Sequence, residues 1–239
     1  MTARTALVVG GTSGIGLATA RQLQALSHEV HVAGRSRQTL DGLAESDPGL
    51  IRHHADGGDR DRMAAVAEEI GSIDWLVLTL SGSEGQGPIA DLDLGTLRRA
   101  FDAKLWAQLT TIQAVLPRLT ADGSITVLGA ITARMGMAGT AGLAALNGAI
   151  EALVKPLAIE LAPIRVNGVS PGLVDTPWWS ALPEEARQDY FAAAAKALPV
   201  GHVASADELA EVVVLAATNG NLTGTVLEAD GGARLITLG

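Results

Sequence analysis

The sequence predicts a single α/β domain, a doubly wound parallel sheet of seven strands with helices on both faces, and three observations carry that prediction. Short runs rich in Val, Ile and Leu alternate with longer segments of helical period, a glycine-rich loop joins the first run to the first helix, and no repeat, low-complexity tract or linker divides the 239 residues. Composition agrees: 48% of residues are apolar and 18% charged, a balance that sustains a sizeable core and excludes disorder, collagen and coiled coil.

The strand candidates, in order, are TALVV, HEVHVAG, LIRHHA, DWLVLTL, SITVLG, IRVNGVS and TGTVLEA. Helical segments rather than hairpin turns separate them, so the strands run parallel through right-handed crossovers. The first helix is expected to begin near Leu17. Asp59 precedes an apolar-periodic run that stops at Gly71, and Ser205 with Glu208 three residues on has the spacing of a capping box. Two central helices follow from apolar residues recurring at three and four positions. One carries Leu94, Leu97, Phe101, Leu105, Leu109, Ile112 and Leu116, with Pro117 near its end; the other carries Leu143, Leu146, Ile150, Leu153, Leu157 and Leu161 and is closed by Pro163. Residues 171–200 lack a clean period and hold Pro177, Trp178, Trp179 and Pro183 beside one short polar helix, the pattern expected of a substrate lid.

Acidic residues outnumber basic ones by 26 to 17, a formal charge of −9, and basic residues form no run longer than a pair. Such a surface repels phosphate backbones and anionic lipid, so neither nucleic acid nor membrane is an expected partner. Met1 to Gly11 offers only a five-residue apolar stretch before glycine, too short for a signal core, and no run of ~18 apolar residues is expected, which reads as a cytoplasmic protein. The absence of cysteine removes thiolate chemistry and Cys-bound metals. The five histidines show no ligand spacing, so no metal is expected. Any redox chemistry must then come from a bound cofactor.

VVGGTSGIG supplies that cofactor's cradle. Gly10, Gly14 and Gly16 permit a tight turn and close backbone approach, while Thr12, Ser13 and Ile15 complete a loop whose amides and helix dipole face a pyrophosphate. An NAD site wants a carboxylate roughly 20 residues after the loop, to accept from the ribose hydroxyls. Here Gly34-Arg35-Ser36-Arg37 stands in that place, and a guanidinium favours a 2′-phosphate, so NADP(H) is preferred over NAD(H). The competing reading makes these two arginines ordinary solvated side chains.

In these motifs the chain resembles the short-chain dehydrogenase/reductase family over nearly its whole length. Gly10, Gly14 and Gly16 fit the family's T-G-x-x-x-G-x-G loop, with Val9 in place of the threonine, and VLEADGG resembles its final strand. The resemblance implies a Rossmann-type fold, adenine contact by Asp56-Gly57, and a nicotinamide and diphosphate flanked by Pro171, Gly172, Val174 and Thr176 of RVNGVSPGLVDTP. It also implies a homotetramer or homodimer. Ser81, at the end of LTLS where the family usually shows N-N-A-G, ends the fourth strand, where open parallel sheets bind ligands.

The family's catalytic pattern is not matched. Its serine falls on Ala130, its tyrosine on Leu143, its lysine on Asn147 and its asparagine on Lys104. Hydride can leave a nicotinamide only as the carbonyl oxygen gains a proton or equivalent charge, and Leu143 donates none. Lysine and asparagine are thus both present but exchanged. Either Lys104 reaches Asn147, a water or the substrate oxygen and supplies positive charge, or it snorkels to the surface while Asn147 bonds backbone. Thr132 could replace the serine with an offset loop, whereas Tyr190, the single tyrosine, falls in the lid and reads as a packing or rim residue. Three functions stay open: an NADP-dependent oxidoreductase of atypical mechanism acting on a small carbonyl or alcohol, a catalytically silent NADP(H)-binding protein, and a non-redox enzyme on the same fold.

Overall fold

The computed structural model describes residues 3–26, 28–82 and 84–236. In chain order the elements are β1 (Thr5–Val9), α1 (Gly14–Ala25), β2 (Glu29–Gly34), α2 (Arg37–Ser46), β3 (Ile51–His54), α3 (Arg60–Ile70), β4 (Ile73–Leu78), α4 (Leu94–Phe101), α5 (Ala107–Val115), β5 (Leu119–Leu128), α6 (Ala141–Glu160), β6 (Arg165–Pro171), β7 (Val174–Asp175), α7 (Glu184–Ala197), β8 (Ala204–Ser205), α8 (Ala206–Thr218) and β9 (Val226–Ala229). Seven strands form one parallel sheet in the order β3-β2-β1-β4-β5-β6-β9. The doubly wound α/β architecture expected from the sequence is therefore present, its order reversing between β1 and β4, where such sheets open a crevice for ligands.

Both sheet faces are covered, which is why the strands are apolar at consecutive positions. On β1, Leu7 and Val9 turn to one side with Leu76, Ile125 and Ile150, while Ala6 and Val8 turn to the other with Val32, Val77 and Val213. Local signals set the boundaries of the covering helices. Asp59 caps α3 by accepting from the Arg62 amide, Gly71 ends it with φ of 87°, and Ser205 and Glu208 close a reciprocal capping box on α8.

Several boundaries differ from expectation. The first helix starts at Gly14 rather than near Leu17, because the glycine loop itself bends into the first turn. β5 begins at Leu119, five residues before SITVLG, and β9 begins only at Val226. A second, two-stranded sheet joins β7 to β8; two-residue strands are too short for any periodicity to announce. The helix of the expected lid, α7, is 14 residues long, and Pro156 lies inside α6, which ends before Pro163. α6 has the length and mean hydropathy to cross a membrane, yet Asn147, Glu151 and Lys155 break its apolar run and its Leu146, Ile150 and Val154 pack into the core.

The first central helix is not one regular cylinder. Between α4 and α5, Asp102–Trp106 winds as a π-turn, wide by one residue, and Lys104 sits at its middle. Such turns change which side chain faces inward, and here Lys104 and Leu105 are the buried pair.

Ile150, 1% exposed, is one of the contacts that seat α6 on the sheet, between Leu146 and Val154. Ile150→Ala is expected to lower stability by about 2–5 kcal/mol, read as a lower urea midpoint at unchanged slope.

Candidate active site

The loops at the carboxyl ends of β1, β4, β5 and β6 converge on one cavity of about 800 Å³. Ser13, Gly14, Ile15 and Gly16 form one end of its lining. Ser13 caps α1 without spending its side chain on a cap bond, and the first turn of α1 carries no acidic residue, so the helix's unpaired amides remain available to an anion. Gly10 and Gly14 adopt φ of 85° and 51°, which favour glycine. A side chain at Gly16 would collide with the Gly10 carbonyl and the Thr79 hydroxyl, so the helix packs against the β4 end only without one. This orphaned-donor cradle fits a dinucleotide pyrophosphate.

Of the other residues singled out in the sequence, Gly10, Arg35, Ser81, Pro171, Gly172, Val174 and Thr176 line the same cavity. Arg35 also borders a second, shallower cavity with Asp56, whose Oδ1 accepts from the Gly58 amide at 2.9 Å. Three residues also make contacts within the fold. Ser36 caps α2 by accepting from the Thr39 amide at 3.2 Å, Thr12 packs against Gly34, and Gly57 accepts from the Thr111 hydroxyl at 2.9 Å.

Lys104 and Asn147 are brought together. Lys104 is 9% exposed, and its Nζ donates to Asn147 Oδ1 at 2.7 Å and to the Gly129 carbonyl at 2.9 Å, so it does not snorkel. An ammonium only donates, which fixes the amide's orientation: Asn147 Oδ1 faces Lys104, and Nδ2 donates to Thr132 Oγ1 at 2.9 Å and to the Leu143 carbonyl at 3.0 Å. Burial pushes Lys104 down to about 8, opposed by the negative charge of Glu151. Ala130 and Leu143 line the cavity beside this chain.

The outer wall is aromatic. Trp179 lies against Trp178, Tyr190 and Phe191, with centroids 4.6, 5.4 and 5.7 Å away. Trp178 Nε1 donates to the Gly82 carbonyl at 3.1 Å, tying the segment after β7 to the loop after β4. Tyr190 borders the cavity while remaining 42% exposed, a rim position. Among the described lining residues the charged groups are Arg35 and Lys104, with no carboxylate.

The π-turn under Lys104 is what sequence reasoning missed. Its signal lay in the apolar stripe, where Leu97, Phe101, Leu105 and Leu109 follow at three successive steps of four. At 3.6 residues per turn each step overshoots by roughly 40°, a drift that one inserted residue absorbs.

A doubly wound sheet with a phosphate-ready helix start at its switch point, opening into an apolar cavity, is the architecture of a dinucleotide-binding protein, and the family model adds likeness to the oxidoreductases. The chain belongs to the short-chain dehydrogenase/reductase family: a family model described as enoyl-(acyl carrier protein) reductase matches residues 9–234. It is 32% identical over 243 residues to a cis-4-hydroxycyclohexanecarboxylate dehydrogenase of Sinomonas cyclohexanicum, covering 96% of each chain. It is 30% identical over 240 residues to a 3-oxoacyl-[acyl-carrier-protein] reductase of Thermotoga maritima, covering 95% of this chain and 96% of the other. A crystal structure of a small-chain dehydrogenase in complex with NADPH superposes with a TM-score of 0.86 at 36% identity, over 98% of this chain and 100% of that one.

Gly16→Ala is expected to weaken nicotinamide-dinucleotide binding at least ~10-fold by calorimetry, since the added methyl displaces the loop from its close approach.

Proposed function

We propose that the chain is an NADP(H)-dependent oxidoreductase that interconverts a small apolar ketone or aldehyde and its alcohol, with Lys104 and Asn147 in place of the family's asparagine and lysine and Lys104 taking over the proton transfer usually made by the tyrosine. The observation that carries this reading is the buried Lys104 ammonium at the cavity wall, with acceptors for two of its three protons.

The cofactor supplies a hydride donor or acceptor when bound; Ser13, Gly14, Ile15 and Gly16 would hold its pyrophosphate, and Pro171, Gly172, Val174 and Thr176 would flank its far end. Arg35, exposed at the end of β2, would meet a 2′-phosphate there, which supports NADP(H), as does the NADPH in the 36%-identical structural neighbour. Lys104 keeps one proton for the cavity. In reduction it donates that proton as the substrate oxygen becomes negative; in oxidation the neutral amine takes it back. Asn147 holds Lys104 in place and donates to Thr132, whose own hydroxyl donates to the Leu143 carbonyl at 3.4 Å, so the proton offered to the substrate oxygen is that of Lys104. Leu143 contributes only an apolar surface, and Met135, Met137, Trp179 and Leu182 extend it, which supports an apolar substrate.

A homodimer or homotetramer belongs to the same proposal, supported by Leu94, Trp106 and Ile159 standing exposed on the central helices. The lack of cysteine and the net charge of −9 support a cytoplasmic setting without nucleic-acid partners.

The test is NADPH oxidation with a panel of apolar ketones. Lys104→Met is expected to cut kcat/KM about 10²- to 10⁴-fold at nearly unchanged cofactor affinity. Tight NADPH binding without turnover, and no effect of the substitution, would instead establish a silent binding protein; turnover without change in NADPH absorbance would establish a non-redox enzyme. With Lys104 pushed down to about 8, reduction should decline as pH rises through that value and oxidation should rise there. Arg35→Ala is expected to weaken NADPH binding about tenfold while barely changing that of NADH, by fluorescence titration.

A further inference from the structure

We propose that Glu151 is a positioning residue for the proton step, the counter-charge that keeps Lys104 an ammonium inside the fold. The inference rests on the reading of Lys104 given above and extends it to a group that does not touch the substrate.

Glu151 lies one turn beyond Asn147 on α6. Gly129 stands between the two charges. Its carbonyl accepts from Lys104 Nζ at 2.9 Å, while a Cβ built on it would meet Glu151 Cγ at 3.3 Å and Oε1 at 3.5 Å. Glu151 Oε2 accepts from Arg134 Nε at 2.7 Å; Oε1 is buried and has no hydrogen-bond partner among the described residues. A buried carboxylate oxygen left unpaired calls for a compensating positive charge nearby.

The surrounding charges show which cation supplies it. Arg134, from the turn after β5, also pairs with Glu228 of β9; Glu228 pairs with Arg234; and Arg234 Nη1 donates to Asp230 Oδ1 at 2.6 Å. This chain holds three carboxylates, Glu151, Glu228 and Asp230, against two guanidiniums, Arg134 and Arg234. One negative charge is left over, and the Glu151 end of this ion-pair network borders Gly129. Lys104, reaching Gly129 from the π-turn on its other side, balances it. Burial alone disfavours the ammonium, and Glu151 is the charged group that acts in the opposite direction.

The protein contains three lysines, Lys104, Lys155 and Lys196, so ¹⁵N-lysine labelling gives an Nζ spectrum in which Lys104→Met assigns the resonance of interest. In Glu151→Gln the Lys104 titration midpoint is expected to fall by about one pH unit. In Arg134→Gln, which removes the guanidinium neutralising Glu151, it is expected to rise. The alkaline limb of kcat/KM for ketone reduction should move the same two ways. A merely structural role lowers the melting temperature in both variants but does not shift the midpoint in opposite directions. Midpoints unchanged, or displaced in the same direction, in the two variants would overturn the proposal. Opposite midpoint shifts with a stationary rate limb would uphold the counter-charge and refute Lys104 as the proton donor.

Discussion

A lysine ammonium taken out of water must find acceptors or give up its proton, and the interior of this protein is arranged around that demand. The π-turn at Asp102–Trp106 places Lys104 inward, the end of β5 presents the Gly129 carbonyl, and α6 delivers Asn147 at the same height. Once the ammonium is fixed, the amide of Asn147 can point only one way, and the hydrogen bond reaching Thr132 is settled with it. An apolar side chain at position 104 would leave Asn147 Oδ1 and the Gly129 carbonyl without the donor that now joins them, so three elements lose their common reference together.

The parallel sheet supplies the stage. Because every strand of the main sheet runs the same way, the loops leaving β1, β4, β5 and β6 emerge on one edge, and residues as distant as Gly10, Thr79, Ala130 and Pro171 line a single cavity. The glycine loop sets its depth, since α1 can approach the end of β4 only where Gly16 carries no side chain. Opposite lies the aromatic wall around Trp179. The cavity thus runs from free amides at one end to hydrocarbon at the other, with the ammonium on its side wall.

Much of this was legible in the sequence because it is written in local chemistry. Both faces of each strand are covered, so TALVV and DWLVLTL stand out as apolar runs; Asp59, Gly71 and the Ser205–Glu208 pair mark helix ends through bonds spanning only a few residues. The meeting of Lys104 with Asn147 was legible only as one of two alternatives, because it depends on packing between elements 43 residues apart. The β7–β8 pairing and the ion-pair chain from Glu151 to Asp230 left no local pattern, since each joins residues whose proximity the fold alone creates. The capping role of Ser36 was equally hidden: its position beside Arg35 pointed to a ligand, and its hydroxyl also accepts from the first turn of α2.

The four tryptophans occupy three different environments. Trp75 is 7% exposed within the sheet with His28 edge-on at 4.6 Å, Trp106 is 54% exposed on the outer surface, and only the adjacent pair Trp178 and Trp179 borders the cavity. Their indoles are therefore natural optical reporters: quenching or energy transfer at the pair follows occupancy of the cavity, emission from Trp75 follows integrity of the fold, and Trp106 responds to whatever covers the outside of the helix.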